Sequence, residues 1–291
     1  MKITLHGIGV QKEFLPQIGL LFEILKNKKI DINLTDSLLK SLKKNAFPTK
    51  GLKPITQKDT IKESDFVISI GGDGTLLDTV CLVGKNEIPI LGVNTGRLGF
   101  LATVAKENIE NSIEELVSGS FAIESRSLLQ LESDIPLFNG LNFGLNEFTI
   151  HKRDTSSMIT VHTYINDLYL NSYWADGLII ATPTGSTGYS LSCGGPLITP
   201  GARNFVITPV SPHNLNVRPI VVSDDNEISF KIEGRSEKFL ISLDSRSTPI
   251  DASVKLKVKK AEFSAKLVKF ASYSYFDTLR QKLNWGFDMR N

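Results

Sequence analysis

Phe66-Val67-Ile68-Ser69-Ile70-Gly71-Gly72-Asp73-Gly74-Thr75-Leu76-Leu77-Asp78-Thr79-Val80-Cys81-Leu82-Val83 is the stretch whose reading decides the fold. Its first five residues are an apolar run of buried-strand length, and the glycines end that run in a tight turn. The apolar density that follows fits a helix laid on a sheet. A strand, a glycine turn and a helix in this order let the backbone come close to a ligand. The helix start adds unpaired N–H groups and the positive end of a dipole, which suit phosphate. A carboxylate in the same turn would repel phosphate, so Asp73 needs a reason to be there. It could take a proton from an attacking hydroxyl, orient a metal-bound water, or cap the helix of a plain turn.

The rest of the chain narrows the class of protein. Its 291 residues are 41% hydrophobic and 22% charged, ordinary values for one large or two ordinary globular domains. A net charge of +2 gives no argument for a nucleic-acid or membrane partner. The alternation Val254-Lys255-Leu256-Lys257-Val258-Lys259 fits a half-exposed strand better than a binding patch. Cys81 and Cys193, the only cysteines, lack metal-ligand spacing and imply neither zinc nor a disulfide framework. The start, Met1-Lys2-Ile3-Thr4-Leu5-His6-Gly7, reads as strand and glycine with no leader pattern, and no apolar run approaches the roughly 20 residues of a membrane span. A cytoplasmic, reducing setting is expected.

Strands and helices alternate through the first third. Ile3–Leu5 and Ile30–Leu34 read as strands, with a helix between them carrying Phe14, Ile18, Leu21, Phe22 and Leu25 at helical spacing. Gly7-Ile8-Gly9 lacks the third glycine of a dinucleotide fingerprint, since Lys12 stands in its place. Residues about 45 to 60 read as a loop. Ile88–Asn94 is a further strand leading into a second glycine turn, Asn94-Thr95-Gly96-Arg97-Leu98-Gly99-Phe100-Leu101, and a helix follows with Ile109, Ile113, Leu116 and Val117. This pattern predicts a parallel α/β sheet with both glycine turns at its carboxyl edge, where ligands bind.

Beyond it, helical periodicity gives way to short alternating runs. Ser127–Leu131, Asn146–His151, Met158–Ile165, Leu168–Trp174, Gly177–Ala181, Phe205–Val210, Ile228–Glu233, Lys238–Leu243 and Val254–Lys259 read as strands. Asn166-Asp167 fits a two-residue hairpin turn, and Gly234 is expected to turn the pair around it. A β-sandwich is expected here. The tail Tyr275–Leu283 regains helical character and is expected to dock on the first domain. We place the domains at 1–100, with the tail 268–291, and at 101–267.

Three clusters in the β region carry chemistry. These are Asn146-Glu147, the run Asp176-Gly177-Leu178-Ile179-Ile180-Ala181-Thr182-Pro183-Thr184-Gly185-Ser186-Thr187-Gly188-Tyr189-Ser190, and Cys193-Gly194-Gly195-Pro196. Hydroxyls beside close-approach backbone suit sugars and phosphates, although the same residues also serve in ordinary polar loops. Together with Gly71–Thr75, Asn94–Phe100 and Arg218-Pro219-Ile220-Val221, these segments resemble the NAD kinase family in order and approximate spacing, over about residues 66 to 250. The pentapeptide Gly71–Thr75 is similar to that of phosphofructokinases and lipid kinases too. The run from Asp176 to Ser190 is the specific part.

The resemblance implies an α/β N-terminal domain, a β-sandwich C-terminal domain and an active site between them. It implies ATP and NAD as substrates, a divalent ion (normally magnesium), and a homotetramer or homodimer. Asp73 matches the family's general base and Gly74 its close-approach glycine. Gly71, Gly72, Thr75, Asn94 and Gly96 are expected on the phosphate side, and Phe100 as an apolar wall by the adenine. Asn146 and Glu147 match residues that hold the adenosine and its ribose, and Asp176 a carboxylate on the nicotinamide side. Thr187, Gly188, Tyr189 and Ser192 match the adenosyl-contacting loop, and Ala181, Thr184, Ser190 and Leu191 are expected to line NAD with them. Gly188 departs from the family's common Ala, and Arg246 stands where Gln is often found. Ser157 and Trp174, also assigned to the NAD pocket, sit where some members carry a basic or imidazole side chain. No GxxxxGK[ST] segment is present, so glycine backbone and hydroxyls would form the phosphate clamp. Two other readings remain from the residues themselves: a lipid or sugar-phosphate kinase sharing the glycine-aspartate turn, and a dinucleotide-binding regulator without catalysis.

Overall fold

The runs Ile3–Leu5 and Phe66–Ile70 lie side by side as parallel strands, Ile3 opposite Phe66 and Leu5 opposite Ile68. The computed structural model that places them describes residues 1–50, 52, 54–55, 58–96, 99–153, 157–235 and 237–286. The chain divides into two units, Met1–Ser125 with Ala265–Asn291, and Arg126–Ser264.

The first unit contains β1 (Lys2–Gly7), α1 (Leu15–Asn27), β2 (Asp31–Thr35), α2 (Asp36–Lys44), β3 (Pro54–Ile55), β4 (Phe66–Ile70), α3 (Asp73–Val83), β5 (Ile90–Val93) and α4 (Ile109–Ser118). The strands are parallel in the order β3-β2-β1-β4-β5. Residues 67–70 and 90–93 are buried without alternation, because helices cover both faces of the sheet. Ile18, Leu21 and Leu25 of α1, Leu38 and Leu42 of α2, and Ile113 and Leu116 of α4 join Ile3, Leu5, Ile68 and Leu91 in one core. α2 was not read from the sequence. Its signals are present: Thr35 caps it by accepting from the Leu38 N–H, Asp36 opens it, and Lys43 and Lys44 close it in accord with the helix dipole. The loop expected over residues 45 to 60 contains the two-residue β3, while Gly51, Lys53, Thr56 and Gln57 lie outside the described residues. Strand order reverses between β1 and β4, the switch point where a ligand crevice forms at the carboxyl ends. Gly7 and Gly71 end those two strands. A Cβ on Gly7 would lie 2.9 Å from the Ile70 carbonyl oxygen, so only glycine lets the ends run this close.

The second unit is built from strands of two antiparallel sheets. They are β6 (Ala122–Ser133, from Arg126 onward), β7 (Phe143–Gly144), β8 (Glu147–Lys152), β9 (Ile159–Ile165), β10 (Leu168–Ala175), β11 (Gly177–Ala181), β12 (Asn204–Val210), β13 (Ile220–Ser223), β14 (Ile228–Glu233), β15 (Lys238–Leu243), β16 (Arg246–Asp251) and β17 (Leu256–Lys269, as far as Ser264). One sheet runs β10-β9-β14-β17 with β6 and β7 beside it, and the other runs β13-β12-β11-β8-β15-β16. Ile159, Val161, Ile228, Phe230 and Leu256 from the first meet Phe148, Ile150, Leu178, Phe205, Phe239 and Ile241 from the second in one core, as alternation on two inner faces requires. Asn166 and Asp167 have φ of 49° and 65°, the paired positive values of a two-residue hairpin turn.

Gly234 does not turn a pair. β14 joins β9 and β17, whereas β15 joins β8 and β16, so the chain crosses from one sheet to the other at this glycine. A Cβ there would press on the Phe239 ring at 3.0 Å. The lysine alternation is a strand, with Leu256 and Val258 buried and Lys257 and Lys259 paired to Glu227 and Glu132. Residues 101–125, expected with the second domain, include α4, whose apolar face lies in the core of the first unit. The tail forms a helix, α6 (Tyr275–Leu283), capped by Ser274. Among the described residues no helix is long and apolar enough to cross a membrane.

His6 lies in β1, just before Gly7, with its Nδ1 3.1 Å from the Thr35 hydroxyl. Burial lowers its pKa from 6.5 to about 4. The unfolded chain therefore takes up this proton first as pH falls. The stability that His6 contributes is complete above pH 6.5 and is lost progressively toward pH 4, by about 3 kcal/mol. Denaturant titration at pH 7.5 and pH 4.5 should show this loss, and His6→Gln should reduce it; an unchanged pH dependence would remove His6 as its source.

Candidate functional site

In the first unit the glycine turn places Asp73 as the first residue of α3. A Cβ on Gly71 would lie 2.2 Å from the Thr75 hydroxyl oxygen, so Gly71 and Thr75 fix the turn together. Nothing lies within 4 Å of the Cβ positions of Gly72 and Gly74, which leaves that backbone open to a ligand. The second glycine turn folds back over β5. A Cβ on Gly92 would meet Ala102 Cα at 2.8 Å, and the Val104 N–H donates to the Gly92 carbonyl at 3.0 Å. This return brings three successive N–H groups to one carboxylate. Phe100 donates to Asp73 Oδ2 at 2.8 Å, and Leu101 and Ala102 donate to Oδ1 at 3.0 Å each. Gly99 makes room, since a Cβ there would lie 1.9 Å from Oδ1. Asn94 shapes the same turn by accepting the Gly96 N–H at 2.6 Å. Arg97 and Leu98 lie outside the described residues.

In the second unit Asn146 and Glu147 enter β8 on a backbone held from both sides. Asp244 accepts the N–H groups of Leu145, Asn146 and Glu147 at 2.8–3.1 Å. Thr182 donates its hydroxyl to the Leu145 carbonyl at 2.5 Å and its N–H to the Asn146 carbonyl at 2.8 Å. The side chains are in the opposite condition. Asn146 Oδ1 and Glu147 Oε2 are buried without a hydrogen-bond partner among the described residues. Burial first, and then the neighbouring Asp244, push the Glu147 carboxyl up to about 8. At neutral pH it is a protonated acid, a donor beside the Asn146 acceptor. Burial likewise raises Asp244, against its three N–H donors and Arg246.

The segment 182–188 lies against this pair. A Cβ on Gly185 would fall 2.1 Å from the Asn146 carbonyl oxygen, and one on Gly188 3.2 Å from Glu147 Oε2. Glycine in place of alanine at 188 thus leaves space beside the carboxyl. The loop's expected members divide into two groups. Ala181, Thr184 and Ser190 turn inward: Ala181 is core, Thr184 accepts from the buried Arg126 at 3.3 Å, and Ser190 pairs with Thr208 at 2.8 Å. Thr187, Gly188 and Leu191 are half-buried, and Tyr189 and Ser192, in the single-turn α5 (Tyr189–Ser192), are exposed. Tyr189 stacks on His151 with ring centroids 5.5 Å apart. Asp176 pairs with Lys152 at 2.6 Å.

Three expected pocket residues make no hydrogen bond to this group. Trp174, 46% exposed, rests its ring on His213 at 4.2 Å. Ser157 is half-buried beside Asp154–Ser156, which lie outside the described residues. Arg246 donates to the Leu141 and Phe143 carbonyls and lies over the Phe138 and Phe143 rings. His151, Lys152 and Asp244 were missed by the sequence reading, because each touches its site through packing that no local pattern encodes; Gly99 was read only as part of the second glycine turn.

One unit is an α/β sheet with an open glycine-aspartate turn, the other a β-sandwich whose polar loop flanks an unsatisfied amide and carboxyl, features that define a nucleotide-handling protein of two units. The chain belongs to the NAD kinase family. Residues 14–121 match the ATP-NAD kinase N-terminal domain and residues 145–270 the ATP-NAD kinase C-terminal domain. An NAD kinase of Cytophaga hutchinsonii is 51% identical over 292 residues, covering 100% of both chains. The solved structure of an NAD kinase from Archaeoglobus fulgidus in complex with ATP is 25% identical, covers 98% of this chain and 99% of its own, and has a TM-score of 0.77. Yeast NADH kinase complexed with NADH, at 19% identity over 100% of this chain and 89% of its own, shares the fold with a TM-score of 0.88. The expected fold class is the one found, and none of these matches is a lipid or sugar-phosphate kinase.

Glu147 also sets a pH dependence. Its carboxyl titrates near 8 when folded against an ordinary 4.5, so the native state holds a proton that the unfolded chain releases. Stability should fall as pH rises from 4.5 to 8, by a few kcal/mol in all. Glu147→Gln, which cannot ionise, should flatten that slope in denaturant titrations. An identical slope in the variant would refute the assignment.

Proposed function

We propose that this chain transfers the γ-phosphoryl group of ATP to the 2′-hydroxyl of the adenosine ribose of NAD, giving NADP and ADP. The observation that carries the reading is the Asn146-Glu147 pair, whose backbone is fixed and whose side chains offer one free acceptor and one free donor. Vicinal ribose hydroxyls each donate and accept, and so complement that pair. Tyr189, Thr187, Ser192 and Leu191 are suited to the adenosyl face, and Asp176, neutralised by Lys152, to the nicotinamide side.

Asp73 is assigned as the general base. Its Oδ2 carries one N–H bond against two on Oδ1, so Oδ2 keeps the lone pair for the hydroxyl proton. As that proton moves to Asp73, the ribose oxygen bonds to the γ-phosphorus and the bond to the β-phosphate oxygen breaks. General-base action of this kind supplies about 10²–10⁴-fold, and alignment supplies much of the rest. The open backbone at Gly72 and Gly74, beside Gly71 and Thr75 at the start of α3, suits the phosphates. Asn94 and Gly96 shape the opposing turn, and Phe100 stands as its apolar wall. Among the described residues no three His, Cys, Asp or Glu side chains converge on one point. Magnesium is assigned to the triphosphate as part of the substrate, the usual arrangement for an ion that keeps most of its waters.

Asp73→Asn should lower turnover at least a hundredfold in a coupled NADP assay. The amide also sets an NH₂ against one backbone N–H, so a small fall in melting temperature is expected alongside. Near-normal turnover would sink the base assignment.

Self-association into a dimer or tetramer belongs to the same reading. Leu168, Tyr169 and Leu215 are 76%, 60% and 85% exposed on the second unit, apolar side chains that a second copy of the chain would cover. Light scattering on the eluting protein should give a multiple of the 32.1 kDa chain mass. A monomer at micromolar concentration would contradict it.

A further inference from the structure

Asp244 sits between β15 and β16 and repeats the arrangement of Asp73. In each, one carboxylate oxygen, Oδ2, accepts the N–H of the residue after a glycine: Leu145 at 2.9 Å for Asp244, Phe100 at 2.8 Å for Asp73. In each, Oδ1 accepts the next two: Asn146 and Glu147 at 2.8 and 3.1 Å, Leu101 and Ala102 at 3.0 Å. The glycine faces the carboxylate both times, and a Cβ on Gly144 would lie 3.0 Å from Asp244 Oδ1. Neither Gly99 nor Gly144 has positive φ, so space rather than conformation requires them.

We infer that Asp244 is a positioning residue of the NAD acceptor site, fixing the Asn146–Glu147 backbone so that both side chains stay aimed at the ribose. The inference rests on the reading of that pair given above. Asp244 contacts no part of the pair's side-chain ends through a hydrogen bond. It acts through three N–H groups, and its own N–H returns to the Glu147 carbonyl at 3.0 Å. Thr182 holds the carbonyls on the other side. A backbone clamped at both edges leaves only the side chains free to answer a ligand.

A second effect follows from charge. Asp244 is the acidic neighbour of Glu147, and Arg246 lies beyond it. Around Glu147, its partner on β11 is Ala181, residues 182–188 are Thr, Pro, Gly and Ser, and Arg126 reaches Thr184 of that segment; among the described residues the charge that acts on Glu147 is that of Asp244. Asp244 thus helps keep Glu147 protonated, as the donor that a ribose oxygen needs.

The test is steady-state kinetics of full-length wild type, Asp244→Asn, Gly144→Ala, Glu147→Gln and Glu147→Ala, with NAD and ATP varied separately from pH 6 to 9. Asp244→Asn should raise KM for NAD about tenfold, the scale of one lost hydrogen bond, with KM for ATP within about twofold. The alkaline limb of kcat/KM for NAD should move down by about one pH unit as Glu147 loses its acidic neighbour. Gly144→Ala, which only crowds the carboxylate, should move KM for NAD the same way and keeps the question open to test if Asp244→Asn folds poorly. Equal losses toward NAD and ATP, or an unmoved alkaline limb, would make Asp244 merely structural and overturn the inference. Glu147→Gln keeps a donor and should bind NAD with the alkaline limb lost, whereas Glu147→Ala removes the donor; if Glu147→Ala leaves KM for NAD unchanged, the acceptor reading itself fails and the inference falls with it.

Discussion

A carboxylate accepting three consecutive backbone N–H groups across a glycine is the constraint on which both candidate sites depend. N–H groups of an irregular segment must find partners when buried, and a loop that turns sharply offers several of them on one side. One aspartate satisfies all three at once. Both turns it builds carry residues of the proposed chemistry: Phe100 in one, Asn146 and Glu147 in the other. The difference lies in what the aspartate does next. Asp73 opens a helix beside bare glycine backbone and keeps a lone pair on Oδ2, whereas Asp244 is closed in by its own N–H bond to Glu147 and by Arg246.

Burial sets the charge state of the groups that matter. Removing a carboxyl from water disfavours its ionised form, and Glu147 has no compensating donor while Asp244 stands beside it. A neutral acid results where the sequence alone would suggest an anion. His6 follows the same rule in the other direction, held neutral in β1 by desolvation. Such unpartnered polar atoms carry an energetic cost, one that the proposed ribose ligand would offset at Asn146 and Glu147.

Much of the frame was legible before any coordinates. Continuous apolar runs ending in glycine gave the parallel strands of the first unit, and alternation gave the strands of the second, with Gly177–Ala181, Ile228–Glu233 and Lys238–Leu243 bounded as read. Other features were hidden for identifiable reasons. The nine-residue α2 follows β2 without a break, so its Thr35 cap is also the strand's last residue. Gly234 separates two alternating runs, a pattern shared by hairpins and by crossings between sheets. Only the partners of the two strands, β9 and β17 for β14 and β8 and β16 for β15, distinguish the crossing.

The sequence by itself determined the two architectures, the glycine-aspartate turn and the polar run from Asp176 to Ser190, because periodicity, glycine placement and contiguous motifs are local properties of a chain. Tertiary structure alone decided which of those residues face inward and what state they are in. Ser190 and Thr184 became internal struts, Arg246 was drawn to the carbonyls of Leu141 and Phe143, and Glu147 became a protonated donor. It also recruited Gly99 and Asp244, the latter 97 positions from Glu147. Hydrogen-bond partnership and desolvation depend on distances between segments remote in sequence, and those distances exist only once the chain has folded.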